Sequence, residues 1–271
     1  RKELQALTDD LKWGLDAAYE TFRWVSRFDF PEFERDYEFV ALRHPDEYPL
    51  NEGRIVSNKG LDIDVREYDD HFVERHVPHS NALQSSIKGR GDYLCGPLAR
   101  LNLNADRLSG LAARAVKEAG APLPWRNPFL SIVARSVEMV YAFEEALRLT
   151  ASYEPPERPR VDVPDRPPRP VVGYGCTEAP RGILYHRYRI GTDGLIEAAK
   201  IVPPTAQNQA SMEHDLRDLV PRLLNLSRDE LTWKCEQAIR NYDPCISCAT
   251  HFLTVTVDEG RDGDRTAGSP G

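Results

Sequence analysis

Ile239-Arg240-Asn241-Tyr242-Asp243-Pro244-Cys245-Ile246-Ser247-Cys248-Ala249-Thr250-His251 is the stretch on which the reading of this chain turns. Asp243 before Pro244 pairs an N-cap residue with a first-turn proline, so a helix or helical turn is expected to begin there. Cys245 and Cys248 then fall one turn apart and His251 a further turn on. At about 100° per residue, the three side chains spread over roughly a third of the helix surface and can converge. Backbone N–H groups and the positive dipole end favour thiolate over thiol at both cysteines. Such a set is poised for a soft transition metal. Two other readings stay open: buried thiols beside an incidental histidine, and a zinc site in which Cys235 completes a Cys3His set. Cys235 sits inside a strong helical pattern, which speaks against the zinc site.

Upstream, residues 227–240 and 207–222 read as helices, the former with Ser227 and Glu230 placed as a capping box. Two strand-like runs, Gly182 to Ile190 and Leu195 to Val202, flank Gly191-Thr192-Asp193-Gly194, a turn sequence, and predict a β-hairpin. Residues 155–170 hold seven prolines among alternating charges and suit an extended surface linker. Before it, residues 1–154 form a helical region. Leu4, Leu7, Leu11, Leu15, Ala18, Phe22 and Val25 recur at helical spacing, and the same period returns over 65–76, 105–119 and 128–150. A small β-hairpin insert is expected at about 38–64, where short apolar runs alternate with Pro45, Pro49, Gly53 and Gly60. The expected fold is mainly α with a small β portion, an α+β helical bundle. Residues 171–251 carry the metal motif, and 252–271 form a Gly-, Asp-, Arg- and Ser-rich extension expected to be disordered.

With 271 residues, 41% of them hydrophobic, the chain can bury a substantial core. A net charge of −8 argues against a nucleic-acid groove. No run approaches the roughly 20 apolar residues of a membrane span, and the first residues lack a signal-peptide pattern, so no membrane partner is expected and the chain reads as cytoplasmic. Five cysteines, an odd number, are expected to be buried, catalytic or metal-bound.

The Ile239–His251 stretch resembles the C-terminal signature of nickel-iron hydrogenase large subunits, especially the cytoplasmic multimeric enzymes linked to NAD(P) or similar carriers. Further segments match in the same order: Gly96-Pro97-Leu98-Ala99-Arg100-Leu101-Asn102, Glu178-Ala179-Pro180-Arg181-Gly182-Ile183-Leu184-Tyr185-His186, and Val202-Pro203-Pro204-Thr205-Ala206-Gln207-Asn208. The resemblance covers most of the chain.

It implies reversible heterolytic oxidation of dihydrogen at a nickel-iron centre with carbon monoxide and cyanide ligands. Cys245 becomes a terminal nickel ligand and candidate proton acceptor, and Cys248 a bridge between nickel and iron. His251 becomes a ligand of a second ion, magnesium or else iron or calcium. Arg181 projects over the centre, with electrostatic positioning as its first role, since a guanidinium ordinarily keeps its proton. Asp243 caps the helix and pairs with Arg181. Glu178 is an orienting carboxylate or a structural partner of Arg181. Ala179, Pro180, Arg181, Pro204 and Thr205 line the cyanide pocket. Pro204 stands where many relatives have a serine, and so brings neither hydroxyl nor N–H. His186 is expected to be a hydrogen-bonded neighbour, and Cys95, Cys176 and Cys235 small core residues.

The implied partners are a small subunit bearing iron-sulfur clusters, diaphorase subunits that reduce NAD(P), nickel-insertion factors, and a maturation endopeptidase that cuts after His251. Relatives carry a second Cys-x-x-Cys, within Arg-x-Cys-Gly-x-Cys, that supplies two more thiolates; Cys245 and Cys248 are the only such pair here. The chain alone is therefore expected to be an incomplete, inactive portion, still in its precursor form. A non-catalytic structural or assembly homologue is the alternative.

Overall fold

The structure is a computed structural model describing residues 2–162, 166–245 and 254–256. Helix α1 (Lys2–Val25) packs along α5 (Ser131–Ala151), as their apolar periodicity predicts. With α3 (Pro97–Asn104) and α4 (Gly110–Glu118) they enclose the larger core, which holds Phe22, Leu98, Leu101, Trp125, Val137 and Val140. Helices α6 (Pro204–Leu219) and α7 (Arg228–Arg240) contribute Met212 and Ile239 to the same core. Ser227 and Glu230 form the expected capping box at the start of α7. Residues 155–162 and 166–170 form no helix or strand.

A smaller core lies where three antiparallel sheets meet. The insert expected as a hairpin over 38–64 is three-stranded: β1 (Val40–Arg43), β2 (Arg54–Ser57) and β3 (Asp62–Ile63). Over residues 65–76 the expected helix stops at His71. Helical turns cover only its first part, a 3-10 turn (Val65–Glu67) and then α2 (Tyr68–His71), which lead into β4 (Phe72–Val77), paired with β5 (Ser80–Ile87). The helical spacing of Tyr68 and Phe72 serves a ring stack, with centroids 4.5 Å apart and Tyr185 on the other face of Tyr68 at 4.0 Å. Aromatic packing across the sheet outweighs local periodicity here.

The expected helix over 105–119 is interrupted. A 3-10 turn (Ala105–Arg107) precedes α4, whose Leu111 and Ala112 amides donate to Glu144 Oε2 at 3.1 and 3.2 Å. A carboxylate from α5 thus satisfies amides that the start of α4 leaves open. The expected hairpin over 182–202 gains a third strand. β6 (Val171–Ala179) pairs with β7 (Gly182–Ile190) from Val171↔Ile190 to Ala179↔Gly182, and β7 pairs with β8 (Ile196–Val202). Gly173 and Gly175 dilute the strand signal of β6 in the sequence. Only Pro180 and Arg181 remain as the loop between β6 and β7.

Candidate metal centre

Arg181 stands at the tip of this hairpin, and its loop is gripped from inside the protein. Arg100 on α3, only 2% exposed, donates from Nη1 to Ala179 O at 2.8 Å and from Nη2 to Pro180 O at 3.0 Å. The same guanidinium binds Glu178 Oε2 at 2.8 Å and both oxygens of Glu138 at 2.7 Å. Glu178 Oε1 accepts from the Leu42 amide at 2.8 Å. Glu178 is therefore the partner of Arg100 and not of Arg181. Strand alternation turns its side chain inward, and burial raises its pKa despite the pull of Arg100.

Two glycines let the backbones behind the tip meet. A Cβ on Gly96 would lie 2.7 Å from Arg181 O, and one on Gly182 would lie 2.5 Å from Cys95 Sγ; both residues have positive φ, 112° and 135°. Any side chain at either position would push the tip off α3. On the far side, Asn208 of α6 donates to Arg181 O at 3.3 Å and to Cys95 O at 3.1 Å, and accepts from the Cys95 amide at 2.8 Å. Gln207 donates to Ile183 O at 2.6 Å. These two amides hold the first turn of α6, and with it Pro204 and Thr205, against the hairpin. Both residues are buried; Pro204 occupies the start of the helix, where its missing N–H leaves no bond unmade.

The Arg181 side chain reaches the end of α7. Its Nε donates to Asp243 O and lies 3.4 Å from Asp243 Oδ2. Asp243 Oδ1 faces a second guanidinium, Arg135 Nη1, at 3.8 Å. Burial lowers the Arg135 pKa, and Asp243 opposes that shift. Asp243 has φ 47°, a left-handed conformation, and its amide bonds Arg240 O at 3.0 Å. An N-cap residue is ordinarily extended, and the helix that Asp243 was expected to cap lies outside the described residues. Its backbone closes the turn that ends α7 and presents its carbonyl to Arg181. A small pocket adjoins it, bounded by Leu98, Pro128, Ser131, Arg135 and Asn241.

Cys245, partly exposed, follows two residues after Asp243. Cys248 and His251 lie outside the described residues, as do the extension from 257 on and any helix after Pro244. Among the described residues no three His, Cys, Asp or Glu side chains cluster as a metal would require. What they offer is a guanidinium paired with a carboxylate, two residues before a cysteine. This donor set fits one edge of an anionic, thiolate-held metal centre. Cys95 and Cys176 are buried in the smaller core, and burial pushes both thiols up. Cys235 is buried on α7. His186 Nδ1 meets Tyr188 Oη at 3.3 Å on β7.

The sequence reading missed Arg100 as part of the site. Its signal was an arginine inside the otherwise apolar Pro97–Leu101 run, a position that a buried charge occupies only when paired. Arg135 was missed as well, one turn before Glu138 on α5.

Residues 131–251 match the family model described as nickel-dependent hydrogenase. The chain is 32% identical over 258 residues to sulfhydrogenase 1 subunit alpha of Pyrococcus furiosus, covering 93% of this chain and 59% of that protein. It is 32% identical over 205 residues to the NAD-reducing hydrogenase HoxS subunit beta of Cupriavidus necator, covering 71% and 41%. The crystal structure of an NAD+-reducing [NiFe]-hydrogenase in the H2-reduced state superposes with a TM-score of 0.70 at 26% identity, covering 93% of this chain and 60% of that one. The chain thus spans about three fifths or less of the length of these proteins. With the C-terminal motif, the arginine hairpin and the fold all in agreement, this chain belongs to the nickel-dependent hydrogenase family, among its large subunits.

Proposed function

We propose that this chain is the part of a nickel-iron hydrogenase large subunit that carries the arginine and the C-terminal thiolates of the active site. One observation carries this reading: Arg181, fixed on a braced hairpin tip, reaches Asp243 two residues before Cys245. Cys245 and Cys248 are the proposed ligands of nickel and iron, and His251 the ligand of a second divalent ion. What such a centre supplies when bound is the heterolytic splitting of dihydrogen. The chain's own residues prepare that chemistry. Arg181 puts positive charge beside the thiolate end of the site, and Asp243 orients that guanidinium through its carbonyl and carboxylate. Cys245 Sγ is the proposed proton acceptor, being a polarisable base at the metal-binding edge. The first turn of α6, with Thr205 at its second position, offers backbone N–H donors to a cyanide ligand, while Pro204 offers none.

Electrons leave, on this reading, through an iron-sulfur small subunit toward an NAD(P)-reducing module. Support comes from the relatives whose names include NAD-reducing. A maturation endopeptidase cutting after His251 completes the proposal.

The full-length protein purified with its small subunit from a nickel-replete culture tests it. Stoichiometric nickel, with infrared bands of carbon monoxide and cyanide that vanish in Cys245→Ser, is the expected result. Zinc in place of nickel, with no such bands, would overturn it.

A further inference from the structure

Arg100 makes more contacts than its burial requires. A guanidinium this deep must be neutralised, and the bidentate bond to Glu138 alone would do that. Its remaining N–H groups reach a second carboxylate and two backbone carbonyls, and all three acceptors belong to one segment, Glu178, Ala179 and Pro180. Asn208 holds the next carbonyl, that of Arg181. Loop carbonyls at a hairpin tip ordinarily face water; here three in succession are held by side chains of two helices. The Arg181 side chain by contrast is 38% exposed and, among the described residues, meets Asp243 through its Nε. Its direction is therefore set by the backbone from which it springs.

We infer that Arg100 is a positioning residue: by fixing the Ala179 and Pro180 carbonyls it aims the Arg181 guanidinium at Asp243 and the thiolate end of the site. The inference rests on the hydrogenase reading for what Arg181 does, and on the contacts above for how it is held. Lysine cannot substitute for Arg100. One ammonium cannot bridge a bidentate carboxylate, a second carboxylate and two carbonyls at once.

Arg100→Lys, Arg181→Lys and the double variant of the full-length enzyme test this by two independent measurements. Hydrogen exchange followed by mass spectrometry reads the tip without any metal. In Arg100→Lys the Arg181 and Gly182 amides are expected to exchange about tenfold faster while peptides from α1 and α5 stay unchanged. In the loaded enzyme the same variant is expected to shift the cyanide infrared bands and to lower kcat on the order of 100-fold with nickel content intact. Because Arg100 acts through Arg181, the double variant should be no slower than Arg181→Lys alone. Tip exchange equal to wild type, or a double variant slower by the product of the two single effects, overturns the inference. Should Arg100→Lys exchange rapidly everywhere, Glu178→Gln loosens the same segment more mildly; unchanged tip exchange there overturns it equally. A wild-type enzyme without nickel or cyanide bands would refute the hydrogenase reading, and tip exchange would still decide the role of Arg100.

Discussion

Arg100 and Arg35 each sit in a knot of carboxylates, one behind the hairpin tip and the other behind the end of α7, and the two knots differ in depth. Arg100 is 2% exposed, held between Glu138 and Glu178. Arg35 is 12% exposed and binds Asp215 and Asp92, each at 2.8 Å, while stacking over the Tyr37 ring at 4.3 Å. Asp215 in turn accepts from the Tyr37 hydroxyl at 2.7 Å and from Tyr242 at 2.5 Å. The first knot grips backbone next to Arg181; the second grips, besides Tyr37, the phenol of Tyr242, three residues before Cys245. The arginine side of the site is thus fixed through its main chain. The described part of the next segment is anchored through the Tyr242 side chain on Asp215 and through the Asp243 carbonyl, which accepts from Arg181.

The largest effect expected from breaking this contrast is that of Arg100→Ala, which leaves the buried Glu178 and the partly buried Glu138 without their cation and should cost about 3–5 kcal/mol in urea unfolding. A loss below about 1 kcal/mol would erase the difference in depth. Asp215→Asn should cost less, about 2–3 kcal/mol, because Arg35 keeps Asp92 and partial contact with water. Tyr242→Phe removes one hydroxyl donated to a carboxylate, so about 1.5 kcal/mol is expected. The more telling readout of that variant is faster alkylation of Cys245, while exchange at the hairpin tip stays as in wild type. Equal loosening on both sides would show that the two anchors are not independent.

Smallest is Ser227→Ala, outside both knots, at about 1 kcal/mol for the lost cap of α7. Ser227 hydrogen bonds hold the Glu230 pKa below its ordinary value. That contribution is fully present above the ordinary glutamate range and is lost as pH falls through the lowered value. The gap between Ser227→Ala and wild type in thermal melts should therefore narrow under acid conditions.

Much of the helical frame was legible locally. The periodicity of α1 and α5 and the capping box of α7 need only neighbours three and four residues away, and the Gly191–Gly194 turn needs only its own glycines. Tyr68 and Phe72 kept a helical spacing and yet belong to a ring stack, because the partner that claims them, Tyr185, is more than a hundred residues distant. Strand β6 escaped notice for a similar reason: its two glycines weaken it alone, and pairing along the whole of β7 restores it.

The sequence by itself carried the family resemblance: Cys245 and Cys248 three residues apart before His251, and an arginine between Pro180 and Gly182. Residue type and short spacing carry that information, since thiolates and a guanidinium are chosen for what they bind. Only the tertiary structure decided who holds whom. Glu178 looked like a partner for the arginine three residues away, but strand alternation turns it inward to Arg100, 78 residues back. Asp243 was read for its carboxylate, and the turn closing α7 places it in a left-handed conformation where its carbonyl receives Arg181 as well. A buried charge takes whichever counter-charge the packing brings within reach, and packing is a property of the whole chain.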